Sequence, residues 1–209
     1  MTDLAELTAV VIKGNRNEAK RLTQLAVDEQ LPARQILDAL VAGMDEVGRR
    51  FQRSEVFVPE MLIAARAMKE ALALLEPTLV KAGIKPELTA IIGTVQGDLH
   101  DIGKNLVTMM WRGANFNVID LGVNVPAERF IAAINQHQPQ VVGLSALLTT
   151  TMPAMQQTVA ALRQANITAK IVVGGAPVTQ DFARTIGADG YSPDAAGAVE
   201  LIRRLCPAA

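Results

Sequence analysis

The 209-residue chain contains few of the residues that usually build metal centres or stack on nucleobases. It has one cysteine, Cys206, and two histidines, His100 and His137. A single cysteine excludes an internal disulfide and a zinc or iron–sulfur site made of several thiolates. Aromatic residues make up only 3% of the chain, whereas proteins that bind single-stranded nucleic acid stack bases on aromatic rings. These absences argue against nucleic acid and against an ordinary multi-ligand metal centre.

The chain also lacks an excess of either charge, because its formal net charge is -1. Binding to phosphate backbones needs a positive field, so no nucleic-acid partner is expected. The first residues carry Asp3 and Glu6, where a secretory signal would be basic. The uncharged stretch 130–162 is interrupted by polar residues and is not expected to span a membrane. The composition therefore predicts a globular, cytoplasmic protein.

Charge density divides the chain into two parts. Residues 1–85 hold 24 of the 41 charged residues, although they are the shorter part, and residues 86–209 hold the other 17. The segment 82–86 contains a glycine and ends in a proline, as domain boundaries often do. We therefore expect a helical domain over 1–85 and an α/β domain over 86–209, joined by a hinge at 82–86.

Residues 1–85 have the apolar spacing of amphipathic helices. The pattern predicts one helix over 4–12 and a second that is capped by Asn17. A third helix is predicted to begin at Pro32, and a fourth to follow Pro59 and to kink or stop near Pro77. Four helices with short connections predict a small four-helix bundle.

Residues 86–209 alternate between strand-like and helical segments five times. This alternation predicts a five-stranded parallel sheet with helices on both faces. Such sheets bind ligands beyond the carboxyl ends of their strands, so the loops there are where a site is expected. The predicted strands cover residues 89–95, 117–121, 141–147, 170–174 and 190–192.

The loop after the first predicted strand carries the most informative motif. Asp98 and His100 lie between Gly97 and Gly103, ahead of a helix predicted to begin near Lys104. A carboxylate beside an imidazole can fix the tautomer of a metal-bound histidine, although an ordinary surface hydrogen bond explains the pair equally well. Nothing completes a zinc site, and no phosphate-loop motif is present. A metal held by one protein ligand must bring its other ligands with it, as in a macrocycle.

Residues 98–105 resemble the Asp-x-His-x-x-Gly signature of cobalamin-binding proteins. Two further segments match this family in the same order. The third strand ends in Ser145-Ala-Leu147 before a loop rich in hydroxyl groups, and the fourth ends in the pair Gly174-Gly175. The resemblance implies a flavodoxin-like, that is Rossmann-like, domain that holds the nucleotide tail of cobalamin.

The resemblance also implies roles for individual residues. His100 would replace the benzimidazole of the cofactor as the lower ligand of cobalt, and Asp98 would accept a hydrogen bond from its other ring nitrogen. Thr151 would extend this relay, while Ser145 and Thr149 would hydrogen-bond the benzimidazole or the corrin edge. The residues that the resemblance assigns to the cofactor are Gly97, Asp98, His100, Asp101, Gly103, Ser145, Leu147, Thr149, Thr151, Gly174, Gly175, Phe51 and Val58.

The helical part is similar to the cap of cobalamin-dependent methyltransferases, a four-helix bundle that covers the upper face of the corrin. Phe51 falls at the phenylalanine position of that cap. Val58 falls where the family has leucine, so its contact would be smaller. The chain looks most like the corrinoid proteins of methylamine, methanol and methoxy-compound methyltransferase systems. It resembles the cobalamin-binding module of methionine synthase more distantly.

This resemblance implies a methyl carrier that is itself a non-catalytic subunit. Its cobalamin would alternate between cob(I)alamin and methylcobalamin. A substrate:corrinoid methyltransferase would load the methyl group, and a corrinoid:carrier methyltransferase would pass it to an acceptor such as tetrahydrofolate or a thiol. A reductive-activation protein is a third expected partner.

Three other functions stay open at this point. A cobalamin-dependent sensor or regulator can share the cap and the histidine loop, although the light-sensing members place a tryptophan on the cap and Trp111 lies outside it. The cobalamin subunit of a radical mutase lacks such a cap. A flavodoxin-like domain with an unrelated ligand would not explain the ordered motifs.

Overall fold

The computed structural model describes residues 2–207, which divide into two compact units. One unit comprises the residues up to Pro86 together with Arg112–Asn115, and the other comprises Glu87–Trp111 and the residues from Phe116 onward. The division adjoins segment 82–86, whose role as a hinge stays a prediction. Among the described residues, no helix is sufficiently long and apolar to cross a membrane.

The first unit is helical, and side chains cap the starts of three of its four described helices. The side chains of Asp3 and Asn15 accept hydrogen bonds from backbone N–H groups of the helices that follow them. Pro32 precedes the third helix, and Glu60 accepts a bond from the backbone N–H of Phe57 at the start of the fourth. The helices are α1 (Leu4–Ile12), α2 (Arg16–Asp28), α3 (Ala33–Gln52) and α4 (Val58–Lys81).

The apolar stripes of these helices form the core of the first unit. Helices α1 and α3 approach closely at Gly43, where an added Cβ would lie 2.8 Å from the Val11 side chain. The Thr8 hydroxyl donates to the Ala39 carbonyl oxygen at 2.9 Å and joins the same two helices. The largest fully buried side chains of this core are Leu7, Ile36, Leu37, Leu40, Met44, Met61, Met68 and Leu75.

Two predictions about the helical unit are wrong. Asn15, not Asn17, caps α2, because Asn15 lies outside the helix and its side chain accepts a backbone N–H three residues on. Pro77 does not stop α4, which continues to Lys81, while a kink at Pro77 stays a prediction. A proline inside a helix removes one hydrogen bond, and burial of Leu79 in the next turn favours continuation.

The second unit contains a parallel sheet in the order β2-β1-β3-β4-β5. Four of the strands end one or two residues before their predicted ends, because the chain there leaves the ladder and enters the loops. The strands are β1 (Thr89–Thr94), β2 (Asn117–Asp120), β3 (Val141–Ser145), β4 (Lys170–Gly174) and β5 (Gly190–Tyr191).

Helices cover both faces of this sheet. They are α5 (Ile102–Gly113), α6 (Ala127–His137), α7 (Met152–Gln164), α8 (Gln180–Thr185) and α9 (Ala195–Leu205). On one face, Phe130 of α6 and Val159 of α7 pack with Ile91 of β1 in the main core. On the other, the Trp111 ring lies against Gly143 of β3, where an added Cβ would be 2.7 Å from the indole. The sheet is therefore buried on both sides, and its carboxyl edge carries the loops.

Candidate functional site

The carboxyl ends of the three central strands are in register at one edge of the sheet. Thr94, the last residue of β1, pairs with Ser145 at the end of β3, which pairs with Gly174 at the end of β4. The strand order reverses between β1 and β3, and parallel sheets bind ligands at such a point. The three motifs predicted from the sequence therefore follow adjacent strand ends.

The loop between β1 and α5 folds so that Asp98 contacts His100 twice. One oxygen of the carboxylate, Asp98 Oδ1, accepts from the backbone N–H of His100 at 3.0 Å and lies 2.7 Å from Nδ1 of its ring. Gly97 has a φ of +84°, a left-handed value that favours glycine. The short motif thus forms a hydrogen-bonded unit within its own loop.

The other carboxylate oxygen of Asp98 is held by the loop after β3. Asp98 Oδ2 accepts from the backbone N–H of Leu147 at 2.7 Å and from the hydroxyl of Thr151 at 2.8 Å. The side chain of Asp98 is completely buried. Burial by itself would raise the pKa of this carboxyl, but the hydrogen bonds from Leu147, Thr151 and His100 lower the pKa well below its usual range. Asp98 is therefore ionised at neutral pH.

This ionised carboxylate fixes the tautomer of His100. An ionised carboxylate can only accept hydrogen bonds, so the proton of the neutral ring lies on Nδ1. The lone pair then lies on Nε2, and the His100 side chain is about half exposed, at 49%. The arrangement presents one imidazole nitrogen as a ligand, oriented by a carboxylate behind it.

The Thr151 hydroxyl completes a continuous chain from Thr151 through Asp98 to His100. This threonine ends a short 3-10 turn, Thr149–Thr151, and only 7% of it is exposed. Its oxygen also lies 2.9 Å from the carbonyl oxygen of Leu148. A hydroxyl has one proton, and an ionised carboxylate is the stronger acceptor of the two. Thr151 therefore donates to Asp98.

Comparison with known proteins identifies the family of the chain. Residues 88–200, more than half of the chain, match the family model described as "B12 binding domain", and residues 4–76 match a second model with the same description. The chain belongs to the B12-binding corrinoid proteins.

Individual relatives match over most of their lengths. A corrinoid protein of Desulfitobacterium hafniense (strain Y51) is 39% identical over 98% of both chains. The trimethylamine corrinoid protein of Methanosarcina barkeri is 42% identical over 82% of this chain and 81% of its own. A chain in the crystal structure of the methanol:cobalamin methyltransferase complex of Methanosarcina barkeri superposes with a TM-score of 0.86 at 30% identity, covering 97% of this chain and 79% of that one.

The described residues fit the corrinoid that this family binds. They contain no group of three or more His, Cys, Asp or Glu side chains that could hold a bare metal ion. A corrinoid brings its cobalt ion already held by a macrocycle, and His100 has a half-exposed ring beside the site. The apolar side chains of Leu99, Ile102 and Leu147 are exposed on the same loops, at 71%, 76% and 43%, and suit the face of a large ring.

Asp101 and Gly103 lie beside the Asp98–His100 unit but outside its hydrogen bonds. The Asp101 carboxylate accepts from the side chain of Asn105 at 2.9 Å at the start of α5. An added Cβ at Gly103 would meet nothing within 4 Å, so open space lies beside this glycine. Helix α5 begins at Ile102, earlier than predicted. Contacts of Asp101 and Gly103 with the corrinoid stay predictions.

Ser145, Leu147 and Thr149 follow one another along the end of β3 and its loop. The carbonyl oxygen of Ser145 accepts from the backbone N–H of Val95 at 3.0 Å, which joins this strand end to the histidine loop. Leu147 gives its N–H to Asp98 and exposes its side chain, and Thr149 is exposed at the start of the 3-10 turn. These positions are compatible with the predicted contacts to the corrin edge or the nucleotide, which remain proposals.

The glycine pair after β4 is required by close packing of the backbone. Gly175 has a φ of +130°, and an added Cβ there would overlap the carbonyl oxygen of Ala146. An added Cβ at Gly174 would lie 3.2 Å from the carbonyl oxygen of Ser192. The structure thus explains both glycines by contacts within the sheet unit, and their predicted proximity to the nucleotide tail stays a prediction.

Phe51 and Val58 belong to the helical unit. Phe51 lies in the last turn of α3 and is partly buried, and Val58 is the first residue of α4. Phe57, just before α4, is exposed at 63% and was not among the predicted site residues. The predicted contacts of Phe51 and Val58 with the upper face of the corrinoid stay a proposal.

Sequence reasoning missed Thr94, Asn124 and Lys104. Thr94 and Asn124 hydrogen-bond the backbone of the histidine loop. Lys104, buried to 3% exposure, ties α5 to the end of β2 by donating to Asp120. An asparagine in a loop, as at Asn124, is a weak sequence signal for a left-handed residue. Thr94 reads as an ordinary strand residue, and the partner of Lys104 lies 16 residues away, so neither gave a signal.

Proposed function

We propose that this corrinoid protein is a methyl carrier in which Nε2 of His100 is the lower ligand of cobalt. One observation carries the proposal. The buried, ionised Asp98 carboxylate hydrogen-bonds the half-exposed imidazole of His100, and Thr151 and Leu147 hold this carboxylate in place. An ordinary surface Asp–His pair does not need a fully buried carboxylate that accepts four hydrogen bonds.

The residues of the chain would control how strongly His100 donates. When bound, the corrinoid supplies a cobalt ion that alternates between the +1 and +3 oxidation states and carries the methyl group. Asp98 favours the neutral ring with its proton on Nδ1, which leaves the lone pair of Nε2 available. The unit of Thr151, Asp98 and His100 would thus hold Nε2 in the orientation of a metal ligand.

The substrate sites would belong to separate proteins. A helical unit and a sheet unit together account for the described residues. The relatives carry trimethylamine, dimethylamine or methanol in their names. We therefore propose one partner methyltransferase that loads the methyl group, a second that removes it, and a protein that restores the reduced cofactor. The sensor function gains no support, because the relatives are named as corrinoid proteins.

Reconstitution with hydroxocobalamin tests the ligand assignment. After reduction to cobalt(II), the electron paramagnetic resonance spectrum should show coupling to one nitrogen that has histidine character. The variant H100A should lose this coupling. The variant H137A is the matched control, since His137 is the other histidine of the sequence and lies exposed at the end of α6. It should keep the coupling of the wild type.

The outcomes separate the lower ligand from the carrier role. Coupling that persists in H100A would show that another group binds cobalt. If the ligand is confirmed, the loaded protein should be demethylated or methylated by a methylamine:corrinoid or methanol:corrinoid methyltransferase, which absorbance of the corrinoid reports. Failure with every such partner would oppose the carrier function and leave the ligand assignment intact.

A further inference from the structure

Two polar side chains outside the Asp-x-His-x-x-Gly motif hold the backbone around His100. The first is Thr94, the last residue of β1, whose hydroxyl donates to the carbonyl oxygen of His100 at 2.9 Å. Thr94 is completely buried, and its own backbone N–H and carbonyl are bonded to Gly122 and Val125. Since the sheet and the next loop fix Thr94, its hydroxyl is a rigid point of attachment for His100.

The second side chain is Asn124, in the loop between β2 and α6. Its backbone N–H donates to the carbonyl oxygen of Asp98 at 2.9 Å, and its side-chain Oδ1 accepts from the backbone N–H of Gly97 at 2.8 Å. Asn124 has a φ of +52°, a left-handed conformation that asparagine tolerates better than most residues. A bridge between Val95 and Val125 holds the two loops side by side.

Together these bonds leave little freedom to the histidine loop. The N–H of His100 is held by the Asp98 carboxylate and its carbonyl oxygen by Thr94, while Asn124 holds the two residues before Leu99. The ring then rotates only about its own side-chain bonds, and Nδ1 is bonded to Asp98. A ligand fixed in this way loses little conformational entropy when it binds a metal.

We propose that Thr94 and Asn124 are positioning residues that preorganise His100 for cobalt. This inference rests on the proposed role of His100 as the lower ligand. Both side chains act through the backbone of the loop and touch no reacting atom. Loss of either hydrogen bond should therefore loosen the loop and weaken the bond between histidine and cobalt while the sheet remains folded.

Paired variants separate the hydrogen bond from the mere presence of the side chain. T94V removes the hydroxyl and keeps the shape, and T94S restores a hydroxyl. N124G removes the acceptor and tolerates the positive φ, and N124D keeps an acceptor oxygen in a residue that also tolerates it.

Two matched controls lie elsewhere in the same unit. Thr158 in α7 is buried to 2% exposure and donates its hydroxyl to Ala154, so T158V removes a comparable hydroxyl. Asn166, just after the end of α7, is exposed and has a φ of +55°. N166G therefore makes the same substitution as N124G, at a residue with a similar backbone conformation that is distant in sequence from the histidine loop.

Two measurements on the full chain should respond. Without any corrinoid, hydrogen exchange of the backbone amides in residues 96–101 should be about tenfold faster in T94V and N124G, because one hydrogen bond that holds the loop is lost. With hydroxocobalamin, the dissociation constant should rise about tenfold, and a smaller fraction of the cobalt(II) spectrum should show nitrogen coupling. T94S and N124D should return toward the wild type, and T158V and N166G should match it.

The outcomes distinguish this inference from the function on which it rests. If the wild type itself shows no nitrogen coupling, the ligand assignment fails whatever the variants do. If the wild type shows coupling but T94V and N124G exchange and bind as it does, the positioning role is overturned. Should T94V fail to fold by circular dichroism, the Asn124 pair decides, since N124G changes an exposed-loop side chain and keeps the backbone conformation.

Discussion

The helical unit and the sheet unit use charged side chains in opposite ways. In the helical unit, Glu46 pairs with Arg49 and Arg50 on the surface of α3, with half or nearly half of each arginine side chain exposed. In the sheet unit, Asp98 is fully buried and Lys104 almost fully buried. The unit with the lower density of charge therefore contains the charges that bear on the site. Burial and hydrogen bonding, not the number of charges, indicate where the chemistry lies.

The difference extends to how much change each surface should tolerate. Exposed ion pairs contribute little to stability, because water screens them and long side chains lose entropy when paired. A buried carboxylate or a backbone contact leaves an uncompensated group or a clash when it is altered. The buried and closely packed residues at the carboxyl edge of the sheet should thus be intolerant of substitution, and the surface of the helical unit should be tolerant.

Gly175→Ala should have the largest effect. The added Cβ would overlap the carbonyl oxygen of Ala146, which as backbone cannot move aside, and the φ of +130° disfavours any side chain. We expect a loss of at least ~4 kcal/mol in the free energy of unfolding, measured by urea denaturation, or failure of the sheet unit to fold.

The matched control for this glycine is Gly103→Ala in the first turn of α5. Its added Cβ meets nothing within 4 Å, and alanine in a helix is more stable than glycine by about 0.5 kcal/mol. The control should therefore be at least as stable as the wild type without corrinoid. Equal stability of the two variants would contradict the close approach of the chains at Gly175.

Asp98→Asn should have the second-largest effect on the free energy of unfolding. Each carboxylate oxygen of Asp98 accepts two hydrogen bonds, and an amide can supply only one oxygen, so its NH2 group would face donors. We expect a loss of about 3 kcal/mol, again by urea denaturation. The control Asp101→Asn alters an exposed carboxylate in the same loop and should change stability by less than about 0.5 kcal/mol.

The free energies of unfolding of the wild type and of Asp98→Asn should depend differently on pH. The folded pKa of Asp98 lies below that of an unfolded aspartate, about 3.9, so the unfolded chain takes up this proton first as the pH falls. The stabilisation by Asp98 is fully present above about pH 5 and is lost at lower pH. The difference in the free energy of unfolding between the wild type and Asp98→Asn should therefore become smaller below about pH 4. Parallel stability curves down to pH 3 would show that the carboxylate is not held as described.

Local signals in the sequence predicted much of this site. Asp98 and His100 are two residues apart, and the turn glycine Gly97 precedes them, so a single short motif predicts both residues. Thr151 followed only from the resemblance, because it reaches Asp98 across 53 residues of chain. Asn124 lies 27 residues from Gly97, and only the pairing of β2 with β1 brings their loops together.

The two errors in the helical unit concern where a helix begins and where one ends. Asn17 and Asn15 are both good capping residues, and their spacing alone does not say which lies outside the helix. Pro77 breaks isolated helices, but α4 continues past it, and Leu79 in the next turn is buried. Apolar periodicity therefore located the helices better than it located their ends.

Glu46→Gln should have the smallest effect on stability. It tests whether a charged residue on the exposed surface of the helical unit contributes as little as expected. The neighbouring Arg50 and Arg49 side chains lower the pKa of Glu46 by hydrogen bonding, yet these partners are largely exposed to water. Glutamine keeps the length of the side chain and one acceptor oxygen. We expect the urea midpoint to stay within the scatter of repeated measurements at 0.15 M salt, and to shift slightly only at low salt, where screening is weaker. A loss as large as that of Asp98→Asn would contradict the distinction between the solvated helical surface and the buried polar edge of the sheet.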